Sequence, residues 1–490
     1  MRLSRLFAGI ERGEVIAEGE WDREVSSLFF DSRKQVKNGL FFCLKGTNAD
    51  GHAYARAAIE NGAVALVTER RLFVNVPQIV VESAREALGV LSSMFYGEPS
   101  NKMQVIGITG TNGKTTVSYM LAAILKAAHK RVGIIGTLGI CYGEKKIPSD
   151  LTTPDPIFLQ NALAEMYMQG VEYVVMEVSA HALYYKKTAG VRYAACIFTN
   201  LSQDHLDFFN AMPAYRDAKR KLFLPEVCPF AILNGDEETG RQFGKLREEF
   251  GAKTLYYGLT TPTDAFAVIT DEGARSTECM LNVNDRLCRA TLSFVGRHNV
   301  YNALAATACA VELGIEMNAV AEGLSGLKGV DGRLQWAAAY HGGEVYVDFA
   351  HTPDGLERVL DSLRRHCKGR LICLFGCGGN RDKVKRPIMG EVAARKADFA
   401  ILTSDNPRYE DPLDILSDIE KGYRRFSSRY VIVPDRKRAI EYGLDFLQRG
   451  DILLVAGKGA EQYQEVMGIK YPFNDHDIID ELLSVKGKRE

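Results

Sequence analysis

The chain of 490 residues carries 61 Lys plus Arg against 62 Asp plus Glu, a formal net charge of −1. That length allows about three domains, each large enough for its own core. The balanced charge excludes the broad basic field that grips a nucleic acid backbone, and no run approaches the ~18 apolar residues of a membrane span, so a soluble, cytoplasmic protein with neither partner is expected.

In chain order, residues 27–30 form an apolar run ending in Asp31-Ser32-Arg33, and residues 39–44 form another ending in Lys45-Gly46-Thr47-Asn48-Ala49-Asp50-Gly51. Read alone, such strand-end loops are turns. Tyr96-Gly97-Glu98-Pro99-Ser100 has a linker composition and sets a boundary near residue 98. Beyond it, Val105-Ile106-Gly107-Ile108 predicts a β-strand that stops at Gly110-Thr111-Asn112-Gly113-Lys114-Thr115-Thr116, where a helix opens toward Lys126. Glycines let the backbone turn tightly enough for its N–H groups to converge, and the helix start adds partial positive charge at the same point. Lys114 then reaches the outer phosphates of a nucleotide and the Thr115 hydroxyl ligates Mg²⁺. The strict pattern asks for glycine where Ile108 stands, but strand, loop and helix agree.

Strands are predicted at 171–178, 194–200 and 230–234 with helices between them, the doubly wound pattern of an ATPase core whose ligands collect at strand carboxyl ends. Residues 253–295 alternate as an antiparallel edge or insert would. Val330-Asp331-Gly332-Arg333 marks a second boundary, and strands at 345–349, 371–375, 399–403, 430–433 and 452–456 predict another α/β unit. The cysteines contain no CxxC pair; Cys373 and Cys377, the closest two, flank a strand end without histidine partners and read as buried, reduced thiols.

Met176-Glu177-Val178-Ser179 puts an acid at one central strand end, and Asn200-Leu201-Ser202-Gln203-Asp204-His205 puts a histidine at the next. These residues suggest a two-magnesium site, with Thr115 and Glu177 on one ion and His205 helping to hold the second. Taken singly, His205 reads as a hydrogen-bonded strand-end histidine, Glu177 as a surface acid and Lys219 as part of a solvated helix face. Together with the phosphate loop, Ala218-Lys219 and Gly296-Arg297-His298-Asn299-Val300-Tyr301-Asn302, they resemble the Mur ligases, the ATP-dependent amide ligases of bacterial cell-wall synthesis. The resemblance implies an α/β chain of three domains, 1–98, 99–330 and 331–490, with a central P-loop ATPase-like doubly wound sheet and a Rossmann-like C-terminal domain. It implies a carbamate on Lys219, made from CO₂, which turns a cation into an anion able to serve Mg²⁺. It also places Asn299, Arg333, Asp348 and His351 on the ATP and makes a monomer the expectation.

Within the family the chain is most similar to members that add the third peptide residue. The resemblance implies that Phe30, Ser32, Thr47, Asn48 and Ala49 contact the uridine-diphosphate end of UDP-N-acetylmuramoyl-L-alanyl-D-glutamate, and that Thr152, Thr153 and Ser179 contact its muramoyl dipeptide. The glutamine and arginine expected after Ser179 are Tyr185 and Lys187 here, and lysine keeps the charge without the forked donor geometry. Asp405-Asn406-Pro407-Arg408 resembles the meso-diaminopimelate motif, whose arginine can clamp a far carboxylate with two parallel hydrogen bonds. Arg381, Gly457 and Glu461 match the rest of that set, with Glu461 suited to the distal ammonium. The expected reaction turns the D-glutamate carboxylate into an acyl phosphate, its charge offset by Lys114 and two Mg²⁺, for attack by an amine. A lysine-adding ligase and a nucleotide-switched binding protein are the alternatives.

Overall fold

The computed structural model describes residues 1–10, 12–17, 21–46 and 49–487, with every side chain among them but that of Lys486. Two compact units emerge, one from Met1–Thr109, Lys130–Cys196 and Ala218–Phe230, the other from Gly110–His129, Ile197–Asp217 and Ala231–Glu490. No described helix is long and apolar enough to cross a membrane.

The first unit begins with a sheet in the order Gly13–Ile16, Gln78–Val81, Ala63–Thr68, Gly39–Phe42, Ser27–Phe29, parallel in every pair but the first. Both faces are covered, so Gly39–Phe42 is buried at every position. Its alternation divides two cores. Leu40 and Phe42 pack with Ala87, Leu88 and Leu91 of helix Ala84–Phe95, while Phe41 packs on the other face with Phe29, Ala55 and Leu66. Ser83 starts that helix by accepting a hydrogen bond from the Glu86 N–H, 3.3 Å away. Farther along, Gln104–Thr109, Tyr173–Glu177 and Val132–Gly136 run parallel, and their register sets Glu177 beside Ile108. The acid therefore stands at the carboxyl end of its strand, as expected from sequence.

In the second unit, helix Lys114–Ala127 lies against helix Met317–Gly326. The approach needs a glycine, since a Cβ on Gly323 would meet the Ile124 Cα at 2.5 Å. The alternating stretch forms an antiparallel meander of Ala265–Glu272, Thr277–Val283 and Arg286–Leu292, with Lys253–Gly258 parallel to its first strand. The C-terminal sheet has the order Gln335–Tyr340, Gly343–Asp348, Ile452–Ala456, Leu371–Phe375, Phe399–Leu402, Tyr430–Ile432, parallel after its first pair. Alternation again sorts the faces. Cys373, Phe375 and Leu454 meet Leu356, Leu360, Met389 and Ile419, whereas Ile372, Leu374 and Val455 meet Ile440, Leu444, Ile479 and Leu483. Helices thus cover both faces, the doubly wound arrangement. Cys373 and Cys377 are free and buried, and burial pushes the Cys377 thiol up to about 12.

Candidate active site

The phosphate loop is built by steric exclusion. Gly113 has φ +87°, and a Cβ there would lie 2.5 Å from Asn302 Oδ1; one on Gly110 would lie 1.9 Å from Thr199 Oγ1. Lys114 opens its helix and folds back, Nζ donating to the carbonyls of Gly110 and Thr111 at 3.0 and 2.8 Å. The stretch after the next strand pins the loop. Asn112 N–H donates to Asn200 Oδ1 at 2.9 Å, Thr199 Oγ1 donates to the Asn112 carbonyl at 2.6 Å, and Ser202 N–H donates to Thr111 Oγ1 at 3.0 Å. Asn112 Nδ2 also donates to Asp354 Oδ2 at 2.9 Å, in the first turn of helix Pro353–Arg364. Thr116 is buried one residue beyond Thr115.

Of the residues expected around ATP, Arg333 touches this loop and Asn299 reaches it through Asn302. Arg333 lies over the Phe349 ring, 4.4 Å from its centroid, and its Nη2 donates to Thr115 Oγ1 at 3.0 Å. Asn299 Oδ1 accepts from Asn302 Nδ2 at 3.1 Å, and Asn302 is the residue facing Gly113. Asp348 is buried and accepts N–H bonds from Leu334 and Ala350 at 2.5 and 2.6 Å; burial raises its carboxyl above the ordinary range although Arg333 opposes the shift.

His205 adopts a left-handed backbone and sits 3.3 Å from Asp204 Oδ2 through Nε2. Asp204 was not singled out from sequence, and it organises this corner. His351 Nε2 is 3.8 Å from Oδ2 and the buried Lys385 Nζ 3.7 Å from Oδ1. Burial would raise the Asp204 carboxyl, but the charges of His205, Lys385 and His351 hold it well below the usual range. Its place beside His205 was the available signal; Lys385, the first residue of helix Lys385–Lys396, carried none.

In the first unit, Glu177 is 1% exposed, so a surface acid is excluded. Its Oε1 and Oε2 accept from Thr137 N–H and Oγ1 at 2.9 and 3.1 Å, and a Cβ on Gly136 would lie 2.1 Å from Oε1. Thr152 Oγ1 is 3.2 Å from Thr137 Oγ1, and Thr153 Oγ1 donates to the Glu177 carbonyl at 2.9 Å while accepting the Ser179 N–H at 3.0 Å. These four expected residues are brought together. Lys219, also 1% exposed in helix Met212–Arg220, lies on no solvated face. Tyr185 stacks under the Arg85 guanidinium at 4.6 Å and Lys187 bonds Asp155 at 2.7 Å, so both have structural partners. Phe30 is 39% exposed beside Asp31, whose carboxylate Arg33 forks at 2.9 Å. Ser32 and Ala49 lie in the neighbouring loops, and Thr47 and Asn48 lie outside the described residues.

The C-terminal sheet ends in a cluster of mixed charge. Asn406 Nδ2 donates to Glu461 Oε2 at 2.9 Å, and the buried Lys458 Nζ donates to the same oxygen at 2.7 Å and to Asn406 Oδ1 at 3.1 Å. Burial would raise the Asp405 carboxyl, but Lys458 and Arg436 hold it below its ordinary value. Gly457 has φ +113°, and a Cβ there would lie 2.6 Å from Asp405 Oδ2. Arg408 Nη1 donates to the Gly379 carbonyl at 2.8 Å, a position kept open because a Cβ on Gly378 would lie 2.8 Å from that nitrogen. Arg381 is exposed nearby, its Cγ 3.7 Å from the same point on Gly378, and Pro407 presses its carbonyl to within 1.9 Å of where a Gly379 Cβ would be. Sequence reading missed Lys458, although it lies inside the Gly457-Lys458 stretch.

A glycine loop that opens a buried helix, stitched to strand carboxyl ends and faced by Arg333, defines an α/β protein of the phosphate-loop nucleotide-binding class. Three family descriptions match the chain, "Mur ligase family, catalytic domain" at residues 24–96, "Mur ligase middle domain" at 108–310 and "Mur ligase, glutamate ligase domain" at 332–459. The chain belongs to the Mur ligase family. A UDP-N-acetylmuramoyl-L-alanyl-D-glutamate--2,6-diaminopimelate ligase from Geobacillus thermodenitrificans (strain NG80-2) is 40% identical over 462 residues, 93% of this chain and 94% of that protein. A protein of the same name from Caldanaerobacter subterraneus subsp. tengcongensis is 40% identical over 490 residues, 100% of each. A solved structure of a ligase of that name aligns with a TM-score of 0.69 at 31% identity, over 96% of this chain and 97% of that one. The fold is accordingly the three-domain α/β architecture of these ligases.

Proposed function

We propose that the protein is an ATP-dependent amide ligase that joins meso-2,6-diaminopimelate to the D-glutamate of UDP-N-acetylmuramoyl-L-alanyl-D-glutamate in cytoplasmic peptidoglycan precursor synthesis. The observation that carries the substrate assignment is the mixed charge at the end of the C-terminal sheet, where Arg408 is held on the Gly379 carbonyl and Glu461 on Asn406, so that charges of both signs are available to an amino acid whose far end bears both. The boundaries that divide the labour are near residues 98 and 330: the first part takes the nucleotide sugar, the middle the ATP and the last the amino acid. The protein acts as a monomer.

A carboxylate is a poor electrophile until phosphorylated. The loop N–H groups of residues 110–116 and Lys114 offset charge on the transferring phosphoryl group, and Asn299, Arg333, Asp348 and His351 hold the nucleotide. The amine of diaminopimelate then attacks the acyl phosphate, the amide C–N bond forms and inorganic phosphate leaves. Hydroxyl and carboxylate oxygens suit Mg²⁺: Thr115 and Glu177 would hold one ion and His205 with a carbamate on Lys219 a second, and the ions would supply positive charge against the transferring phosphoryl group. The burial of Lys219, away from any solvated helix face, supports that modification.

Phosphate release by the purified protein tests the reading. Release is expected only when ATP, the nucleotide-sugar dipeptide and an amino acid are all present, with kcat/KM for meso-diaminopimelate about 100-fold or more above that for lysine. Preference for lysine would overturn the substrate assignment, and release independent of any amino acid would overturn the ligase. The intact protein should carry a mass increment of one CO₂ that disappears in Lys219→Ala.

A further inference from the structure

The Arg408 side chain is already half engaged before any substrate arrives. Its backbone lies in the left-handed region at φ +54°, held by a parallel bridge to Val466 in which Arg408 N–H donates to the Glu465 carbonyl at 3.0 Å and Met467 N–H donates to the Arg408 carbonyl at 2.7 Å. Strand Tyr463–Val466 thereby fixes where the arginine starts, and Glu465 fixes where it points. Arg408 Nε donates to Glu465 Oε2 at 3.2 Å, while Nη1 donates to Gly379. Nη2 bonds to no described residue, and both side chains keep about a fifth of their surface exposed, 18% for Arg408 and 21% for Glu465. A guanidinium pinned at Nε and on one side of Nη1 presents its Nη1/Nη2 edge outward.

We propose that Glu465 is a specificity-determining residue for the amino-acid substrate, orienting Arg408 and accepting the ammonium group that neighbours the substrate's far carboxylate. The inference rests on the diaminopimelate reading and deepens it. Glu461, the acid that the resemblance assigns to that ammonium, has its Oε2 shared by Asn406 and the buried Lys458, and Glu465 supplies a second carboxylate on the Arg408 side. Among the described residues Glu465 pairs with Arg408 alone, and that partner is the group which turns to the incoming carboxylate. Binding then converts one internal ion pair into an alternating quartet, Arg408 to substrate carboxylate and Glu465 to substrate ammonium. A far end with an ammonium alone, as in lysine, brings a cation to Arg408 with no anion between them, a built-in repulsion.

The test pairs a protein change with a substrate change. Steady-state kinetics of the full-length wild type, Glu465→Gln and Glu465→Ala are measured with meso-diaminopimelate and with 2-aminopimelate, which keeps the far carboxylate and lacks the far amine. Wild type should prefer meso-diaminopimelate by tenfold or more in kcat/KM, and the preference should fall below threefold in both variants. Glu465→Ala should raise the KM for meso-diaminopimelate at least tenfold with the KM for ATP unchanged, and Glu465→Gln, which still accepts the Nε hydrogen bond, should raise it less. A purely structural role would move all three substrates' KM values and the melting temperature together, and would overturn the proposal. An unchanged preference in variants of a wild type that does ligate meso-diaminopimelate overturns this proposal alone. A wild type that ligates only lysine overturns the substrate reading, and this proposal with it.

Discussion

Replacing Arg436 by leucine should unfasten the amino-acid pocket from behind. Arg436 and Asp475 are both fully buried, paired through Nε–Oδ1 and Nη2–Oδ2 at 2.7 Å each, and Nη2 also donates to the Ala456 carbonyl at 2.9 Å. One guanidinium thus joins the first turns of helices Arg436–Phe446 and Asp475–Lys486 to the strand end that leads into Gly457. Removing it strands a carboxylate in an apolar interior, at a cost of about 3–5 kcal/mol, a large part of the ~5–15 kcal/mol that holds a typical domain. Replacing both partners removes the orphan charge, so Arg436→Leu with Asp475→Leu should recover ~2 kcal/mol or more. Equilibrium urea unfolding followed by Trp336, in a W21F background, reads the C-terminal sheet directly, since that tryptophan lies in strand Gln335–Tyr340. The single variant should also raise the KM for the amino acid more than that for ATP. A single-variant loss below ~1 kcal/mol, or a double variant less stable than the single, would refute the reasoning.

Gly113→Ala combines a left-handed backbone with a Cβ 2.5 Å from Asn302 Oδ1, so ATP affinity should fall tenfold or more by calorimetric titration while the fold persists. Arg408→Ala removes two charge-assisted hydrogen bonds worth ~1.5–3 kcal/mol each, and kcat/KM for meso-diaminopimelate should drop at least ~100-fold with the KM for ATP unmoved; intact turnover would sink the role given to that arginine. Burial, helped by the Arg358 charge, holds the His298 imidazole down at about 4 against an ordinary 6.5, so the unfolded chain takes up the proton first. The contribution is therefore full above pH ~6.5 and is lost as pH falls toward 4, by up to ~3 kcal/mol; His298→Gln should flatten that part of the stability–pH curve in urea titrations.

What could be read from the chain was local. The phosphate loop needs a strand, two glycines and a helix start within a dozen residues, and the pattern survives Ile108 because Gly110 and Gly113 alone meet the steric demand. Apolar runs placed the strands, though their ends drifted: 171–178 became Tyr173–Glu177 and 194–200 became Ala195–Phe198, because a ladder stops where its neighbour's register stops. Family resemblance then carried Arg408, Glu461 and Asp348 to their strand ends.

The partners that give those residues their character come from far along the chain, and only packing decides them. Asp204 meets Lys385, Arg436 meets Asp475, and Arg408 meets Glu465, and nothing in the linear order of charges marks any of these pairs. Glu177 and Lys219 looked like solvated charges because burial is not written in a residue's neighbours in sequence; it depends on which helices close over the strand end. The sequence by itself determined the chemistry available to this protein, since residue types and their spacing set what can bind phosphate or carboxylate. The tertiary structure alone decided which charges are neutralised and which stay open to a substrate, because that balance is a sum over groups brought together from distant parts of the chain.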